Sequence, residues 1–318
     1  MVRIGGIVLG VAQSEELVVA ASSFDASLRA WSRDGALAFE MKTPNNQWAL
    51  TVAVQGNLAA MGTFGGGLFV VDLQSHTELQ HFEGHTDDVM SLVLDGDTIL
   101  SGSDDKTIRI WDKASGECLQ TIHAGAAVNG LATQDDLIVA GLDDKTVRVF
   151  DRTSGEELHV LTDATGEINS VAMNAQYMVS GAEDTKLRVY AVPSFELVNV
   201  LEGHTELVRS VALQGDYIVS GSFDKTAIVW DAHSGAKLHV LKGHSNMVWS
   251  VSLQGSEVVT GSSDNSVRVW DAQSGASKLV LNGTEAVSGA LAEAVAAQKR
   301  ESLPRRLSRR ISSALGRR

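Results

Sequence analysis

Apolar residues in this chain come in runs of five or six that alternate with polar ones and stop at short polar turns. Residues 208–241 show the pattern: Val208 to Leu213, Tyr217 to Ser222, Thr226 to Trp230 and Lys237 to Leu241 are separated by Gln-Gly-Asp, Phe-Asp-Lys and Ala-His-Ser-Gly. A period of two predicts half-buried strands, and Gly, Asp and Ser at the breaks predict hairpins. The last turn recurs as Lys-Ala-Ser-Gly at 113–116, Arg-Thr-Ser-Gly at 152–155 and Ala-Gln-Ser-Gly at 272–275. Its closing Gly supplies the positive φ that a tight, bulged hairpin requires. No helical period competes before residue 284.

Four such strands make a unit, and the unit repeats. Stretches built like Ser101 to Asp112, SGSDDKTIRIWD, place an aromatic or apolar residue at Trp31, Val71, Trp111, Phe150, Tyr190, Trp230 and Trp270, at steps of 40, 40, 39, 40, 40 and 40. Seven units of short β-branched strands ending in Trp-Asp or a degenerate version resemble the WD-repeat β-propeller family. The resemblance implies an all-β, seven-bladed propeller over residues 1–281. An Ala-rich linker of helical character (282–303) and a basic tail (304–318) follow. Closure is open at this level, either by seven complete blades from Ile7 to Leu281 or by a blade shared between the termini.

With 318 residues, 44% of them hydrophobic, the chain suffices for one large domain or two ordinary ones, and the repeat selects one ring. The single Cys118 excludes an intramolecular disulfide and is expected as a small buried or half-buried hydrophobe. MVRIGGIVLGVAQS resembles a short signal peptide, but Ile7 to Ala12 sits at the repeat spacing and reads as the innermost strand of the first blade. No run approaches the roughly 20 apolar residues of a membrane helix. The expected location is the cytoplasm, with the nucleus as alternative, and the sequon at Asn282 is expected to be unused.

Three constellations look like chemistry: His85, Ser101, Asp105 and Trp111; His204, Ser220, Asp224 and Trp230; His244, Thr260, Asp264 and Trp270. A hydroxyl, a His and a carboxylate at fixed spacing are the parts of a hydrolase triad. The family resemblance implies instead a structural tetrad running from Trp to hydroxyl to His to Asp, and three copies favour that reading because an enzyme needs one site. Asp25 with Trp31, Asp144 with Phe150, and Ser180 and Asp184 with Tyr190 are fragments of it. The second unit has Gly65 and Val71 in the corresponding places and is expected to be the softest. Nine His and one Cys never cluster at zinc-ligand spacing, and Gly65-Gly66-Gly67 lacks the Lys-Ser/Thr of a phosphate loop and reads as a flexible turn. The sequence predicts no catalytic residue, metal or cofactor.

Function is then expected on the ring's surface. The resemblance places partners on the face where innermost strands begin, and repeat alignment puts Phe24, Trp48, Leu50, Phe64, Met90, Asp104, Asp143, Glu183, Arg209, Phe223, Met247 and Trp249 there. Units three to five contribute carboxylates and the others aromatic or apolar groups, which together suit a peptide with apolar and Lys/Arg residues. The repeats look most like those of F-box substrate receptors, which implies a ubiquitin-ligase subunit as the alternative to a non-enzymatic scaffold or adaptor. Arg209 matches one phosphodegron position there, but the equivalent sites are Met90, Asn129, Asn169 and Trp249, and a phosphopeptide needs several cations. No F-box sequence precedes the first unit, and Trp-Asp-x-Arg is absent.

Charge divides the chain. From Glu293 to the end eight basic residues face two acidic ones, so the remainder carries −19 of a total −13. Nucleic-acid binding by the acidic propeller is not expected. Leu303, Leu307, Ile311 and Leu315 recur every four residues between Arg pairs, a stripe suited to an anionic membrane or an acidic partner. Ser308 and Ser312 follow Arg-Arg-Leu and Arg-Arg-Ile as in basophilic-kinase sites, where phosphate would weaken such docking.

Overall fold

A computed structural model describes residues 6–23, 25–43 and 46–282. Phe24, the linker, the tail and the candidate phosphosites Ser308 and Ser312 lie outside the described residues. Among the described residues, 28 strands form seven four-stranded antiparallel sheets, each of four consecutive strands. We number these blades one (8–42), two (49–82), three (89–123), four (128–161), five (168–201), six (208–242) and seven (248–282). No blade is shared: the first and the last both take all four strands from one continuous stretch.

The ring closes by packing blade seven against blade one. Val259, Val267, Val269 and Leu281 form one buried cluster with Val8, Val11, Val18, Ala20 and Trp31. Val11 N–H donates to Ser250 Oγ at 3.0 Å, and Arg33 pairs with Glu257 across the seam. The same hydroxyl clasp recurs from Ser91 to Leu131, Ser170 to Val211 and Ser210 to Val251. Where the inner strand has Gly10 or Gly130 in place of Ser, the blades are closer: a Cβ on Gly130 would meet Ser170 Cα at 2.8 Å.

A second contact sets the spacing between blades. Each second strand carries a Gly (62, 102, 141, 181, 221, 261) whose missing side chain is replaced by Val89, Val128, Ile168, Val208, Val248 or Val8 of the next blade. Blade one has Ala21 there, and the facing residue is Ala49, in the same buried cluster. Gly against Val and Ala against Ala fill the same space, so close packing between sheets is kept. At the turn after each second strand a non-glycine residue adopts a left-handed conformation: Ala26, Lys106, Lys145, Thr185, Lys225 and Asn265, with φ from 48° to 73°. Blade two uses Gly65 and Gly66 instead.

Candidate functional site: the tetrads and the inner-strand face

In blade three, Trp111 Nε1–H donates to Ser101 Oγ at 2.8 Å, Ser101 Oγ lies 2.7 Å from His85 Nε2, and His85 Nδ1 lies 2.7 Å from Asp105. The carboxylate only accepts, so Nδ1 carries the ring proton and Nε2 accepts from the hydroxyl. Blade six repeats this with Trp230, Ser220, His204 and Asp224 at 2.9, 2.8 and 2.7 Å. In blade seven Trp270, Thr260, His244 and Asp264 do so at 2.9, 2.7 and 2.8 Å. A further hydroxyl, Thr107, Thr226 or Ser266, donates to each Asp at 2.6 Å. Burial raises the Asp224 and Asp264 carboxyls, but hydrogen bonds from His and hydroxyl, with the nearby His charge, outweigh it and lower both to about 2. The same balance lowers Asp105. Ser101, Ser220 and Thr260 have no exposed surface, so none of these hydroxyls can meet a substrate.

Blades one, four and five lack the His, and an Arg four residues after the Asp takes its place. Arg29 binds Asp25 at 2.6 Å, Arg148 binds Asp144 at 2.9 Å and Arg188 binds Asp184 at 2.7 Å. In the blades that keep His85 and His244, the equivalent Arg109 and Arg268 instead lie over the tetrad Trp rings at 5.7 and 5.9 Å. The Asp-x-x-x-Arg spacing is visible in the sequence, but which partner the Arg takes depends on the His from outside the turn.

On the face where innermost strands begin, a repeated backbone bond ties each turn to the segment before the inner strand. Phe64 N–H donates to Trp48 O, Asp104 to Asp88, Asp143 to Ala127, Glu183 to Glu167, Phe223 to Leu207 and Ser263 to Met247. These bonds bring the aligned positions into one ring. Leu9, Leu50, Met90, Asn129, Asn169, Arg209 and Trp249, one per blade, line the central channel, which narrows to a cavity of about 90 Å³.

The expected open apolar sector is corrected here. Leu50, Phe223, Met247 and Trp249 are buried, Trp249 to 2% exposure. Trp249 packs on Phe223 with ring centroids 4.7 Å apart, has the Arg209 guanidinium 5.6 Å from its ring, and donates Nε1–H to Ser263. One large side chain per blade fills a channel this narrow, so these groups plug it rather than project from the face. Arg209 also approaches Asn169 O at 3.4 Å. Trp48, Met90, Asp104, Asp143, Glu183 and Arg209 are half-buried, and Phe64 is 39% exposed.

Blade two departs from the expected flexible turn as well. A Cβ on Gly66 would stand 2.4 Å from His85 O, and Gly65 N–H donates to Asp88 Oδ1 at 2.9 Å. Blade three grips this turn, which is why only Gly fits. Phe39 and Phe69 stack on His76 and His81 at 4.5 and 4.4 Å.

The family model "WD domain, G-beta repeat" matches residues 76–112, 116–151, 195–231 and 235–271. Each match runs from the outermost strand of one blade through the third strand of the next. A stretch of 56 residues is 41% identical to mitochondrial division protein 1 of Kluyveromyces lactis, covering 18% of this chain and 8% of that protein. The CCR4-associated factor 4 homolog of Candida glabrata is 52% identical over 44 residues, 14% of this chain and 8% of that protein. A ribosome biogenesis protein BOP1 homolog from Culex quinquefasciatus is 38% identical over 65 residues, 19% and 8%. The matched stretch thus spans under a tenth of the length of these relatives. Among solved structures, the WD40 β-propeller domain of Doa1 superposes with a TM-score of 0.75 at 20% identity, over 83% of this chain and 92% of that one. The computationally designed Ika8 protein gives 0.70 at 26% identity over 86% of each.

Proposed function

Starting from a chain that is a WD40-repeat propeller, we propose that it serves as a non-enzymatic scaffold or adaptor holding a partner peptide on the inner-strand face. The observation that carries this reading is the division of that face. Asp104, Asp143 and Glu183 of blades three to five form a half-buried carboxylate arc, and blade two sets Trp48 and the exposed Phe64 at its end, ring centroids 6.3 Å apart. Aromatic surface beside carboxylates suits a peptide bearing both apolar and basic side chains. WD40 propellers as a class bind other proteins, which supports the kind of partner. Arg209, held over Trp249, supports the scaffold over the ligase subunit with a phosphodegron.

The basic tail, by its sequence, is the element we assign to an anionic membrane or an acidic partner, with phosphate at Ser308 and Ser312 releasing it. The test is affinity purification of the intact chain beside Trp48→Ala/Phe64→Ala. Partners lost from the double variant support docking on this face. Retention of every partner refutes it.

A further inference from the structure

The boundary between blades two and three is where the face stops being merely acidic. Phe64 and Trp48 stand at the rim joined by the Phe64 N–H to Trp48 O bond, and the next residue, Gly65, donates its N–H to Asp88 at 2.9 Å. Asp88 O in turn accepts from Asp104 N–H at 2.9 Å. Two aromatic rings and two carboxylates are therefore fixed in one short hydrogen-bonded chain across the boundary, and Met90 opens onto the channel beside them.

We infer that this boundary receives one cationic side chain, lysine or arginine, from the partner peptide, its charge against Asp88 and Asp104 and its stem or planar head over Phe64 and Trp48. The inference rests on the peptide-docking reading above and adds the subsite and its chemistry. Charge complementarity selects the occupant. Asp88 is 5% exposed, and the charges acting on it, Asp104 and then Asp87, are both negative. Burial first and those two carboxylates next raise its pKa to about 6, against the lowering by the Gly65 N–H. A bound cation would relieve the desolvated anion, and an aromatic face within about 6 Å of a cation adds a quadrupole attraction. Neutral apolar side chains gain the rings but leave the carboxylates unanswered, and that is the basis of selectivity.

The test titrates the full ¹⁵N-labelled chain with N-acetyl-lysine amide, N-acetyl-arginine amide and the uncharged N-acetyl-norleucine amide, reading the Gly65 and Gly66 amide resonances. A cationic amide should shift both at pH 7.5, with norleucine amide without effect. Asp88→Asn retains an oxygen for the Gly65 N–H and should weaken binding about tenfold, as should lowering the pH to 5 for the parent chain, the scale of losing one charge-assisted contact. Phe64→Leu, at an exposed site that leaves the fold intact, should weaken it as well. Equal shifts from norleucine amide, or undiminished binding by Asp88→Asn, would overturn the inference. The two readings fail separately. Loss of natural partners in Trp48→Ala/Phe64→Ala with no response to either cationic amide would sink the subsite alone, whereas a lysine response with every partner retained would uphold the subsite and sink the peptide reading.

Discussion

Replacing Gly102 by Ala would place a methyl carbon 2.4 Å from Val128 Cγ1 and 3.1 Å from Val128 Cβ. Carbon atoms prefer about 3.5–4.0 Å, so blades three and four must part or Val128 must leave its rotamer, at a cost of about 1–3 kcal/mol. Val128→Ala deletes two carbons of a fully buried side chain and costs about 2 kcal/mol, from roughly 0.8 kcal/mol per carbon plus the cavity. Together the two changes recreate the Ala21 and Ala49 arrangement of blades one and two. The methyl added on one side then occupies space vacated on the other. Only Leu131 Cδ1, at 3.2 Å, remains to yield, and it ends a flexible side chain. The double variant should therefore lose about 2 kcal/mol where the single losses sum to about 4, a coupling of about 1–2 kcal/mol between contacting residues. Urea unfolding followed by tryptophan fluorescence, with matching m-values, measures each corner of the cycle. Losses that add within about 0.5 kcal/mol would refute the claim that these pairs set blade spacing.

Ser220→Ala leaves the Trp230 N–H without its acceptor and His204 Nε2 without its donor, both buried, and should cost about 2–3 kcal/mol in a thermal or urea melt, with Ser101→Ala close behind. A loss under about 0.5 kcal/mol would show that the tetrad does not hold the blade. Thr185 is β-branched at φ 72°, and Thr185→Asn should raise stability by about 1 kcal/mol, visible as a higher Tm; a lower Tm would contradict the strain argument. The folded pKa values of Asp224 and Asp264 lie below the ordinary 3.8. Each carboxylate therefore contributes stability above about pH 4 that is lost as pH falls through about 2, on the order of 2 kcal/mol apiece. Asp264→Asn should flatten acid unfolding in that window, and an unchanged profile would count against it. Asp88 has the opposite sign, because its folded pKa of about 6 means the native state binds the proton more tightly. Asp88→Asn should stabilise at pH 8 by about 2 kcal/mol and lose that advantage below pH 4; destabilisation at pH 8 would refute the assignment.

The strand pattern and the period of 40 were legible because a propeller blade is a local object: four consecutive strands, hairpin turns and one tight spacing from Gly to the next blade's Val. The unshared ring was not, since Val8 and Val11 would read alike whether they begin a complete blade or complete another. Whether face residues are exposed also escaped the sequence. Trp249 and Phe64 occupy comparable apolar positions, and only the channel's width and the neighbouring Phe223 and Arg209 decide that Trp249 plugs while Phe64 projects. The Arg switch was half legible. Asp-x-x-x-Arg could be counted in blades one, four and five, but its partner depends on whether a His arrives from 16 residues before the second-strand hydroxyl, as His85 does for Ser101.

The most direct test of the account is affinity purification of the intact chain beside two variants, Trp48→Ala/Phe64→Ala and a tail in which Arg305, Arg306, Arg309 and Arg310 are replaced by Gln. The account predicts that protein partners fall away with the aromatic changes, while the neutralised tail alters only location or membrane association. If the aromatic variant retains every partner, the docking face has been placed on the wrong side of the ring.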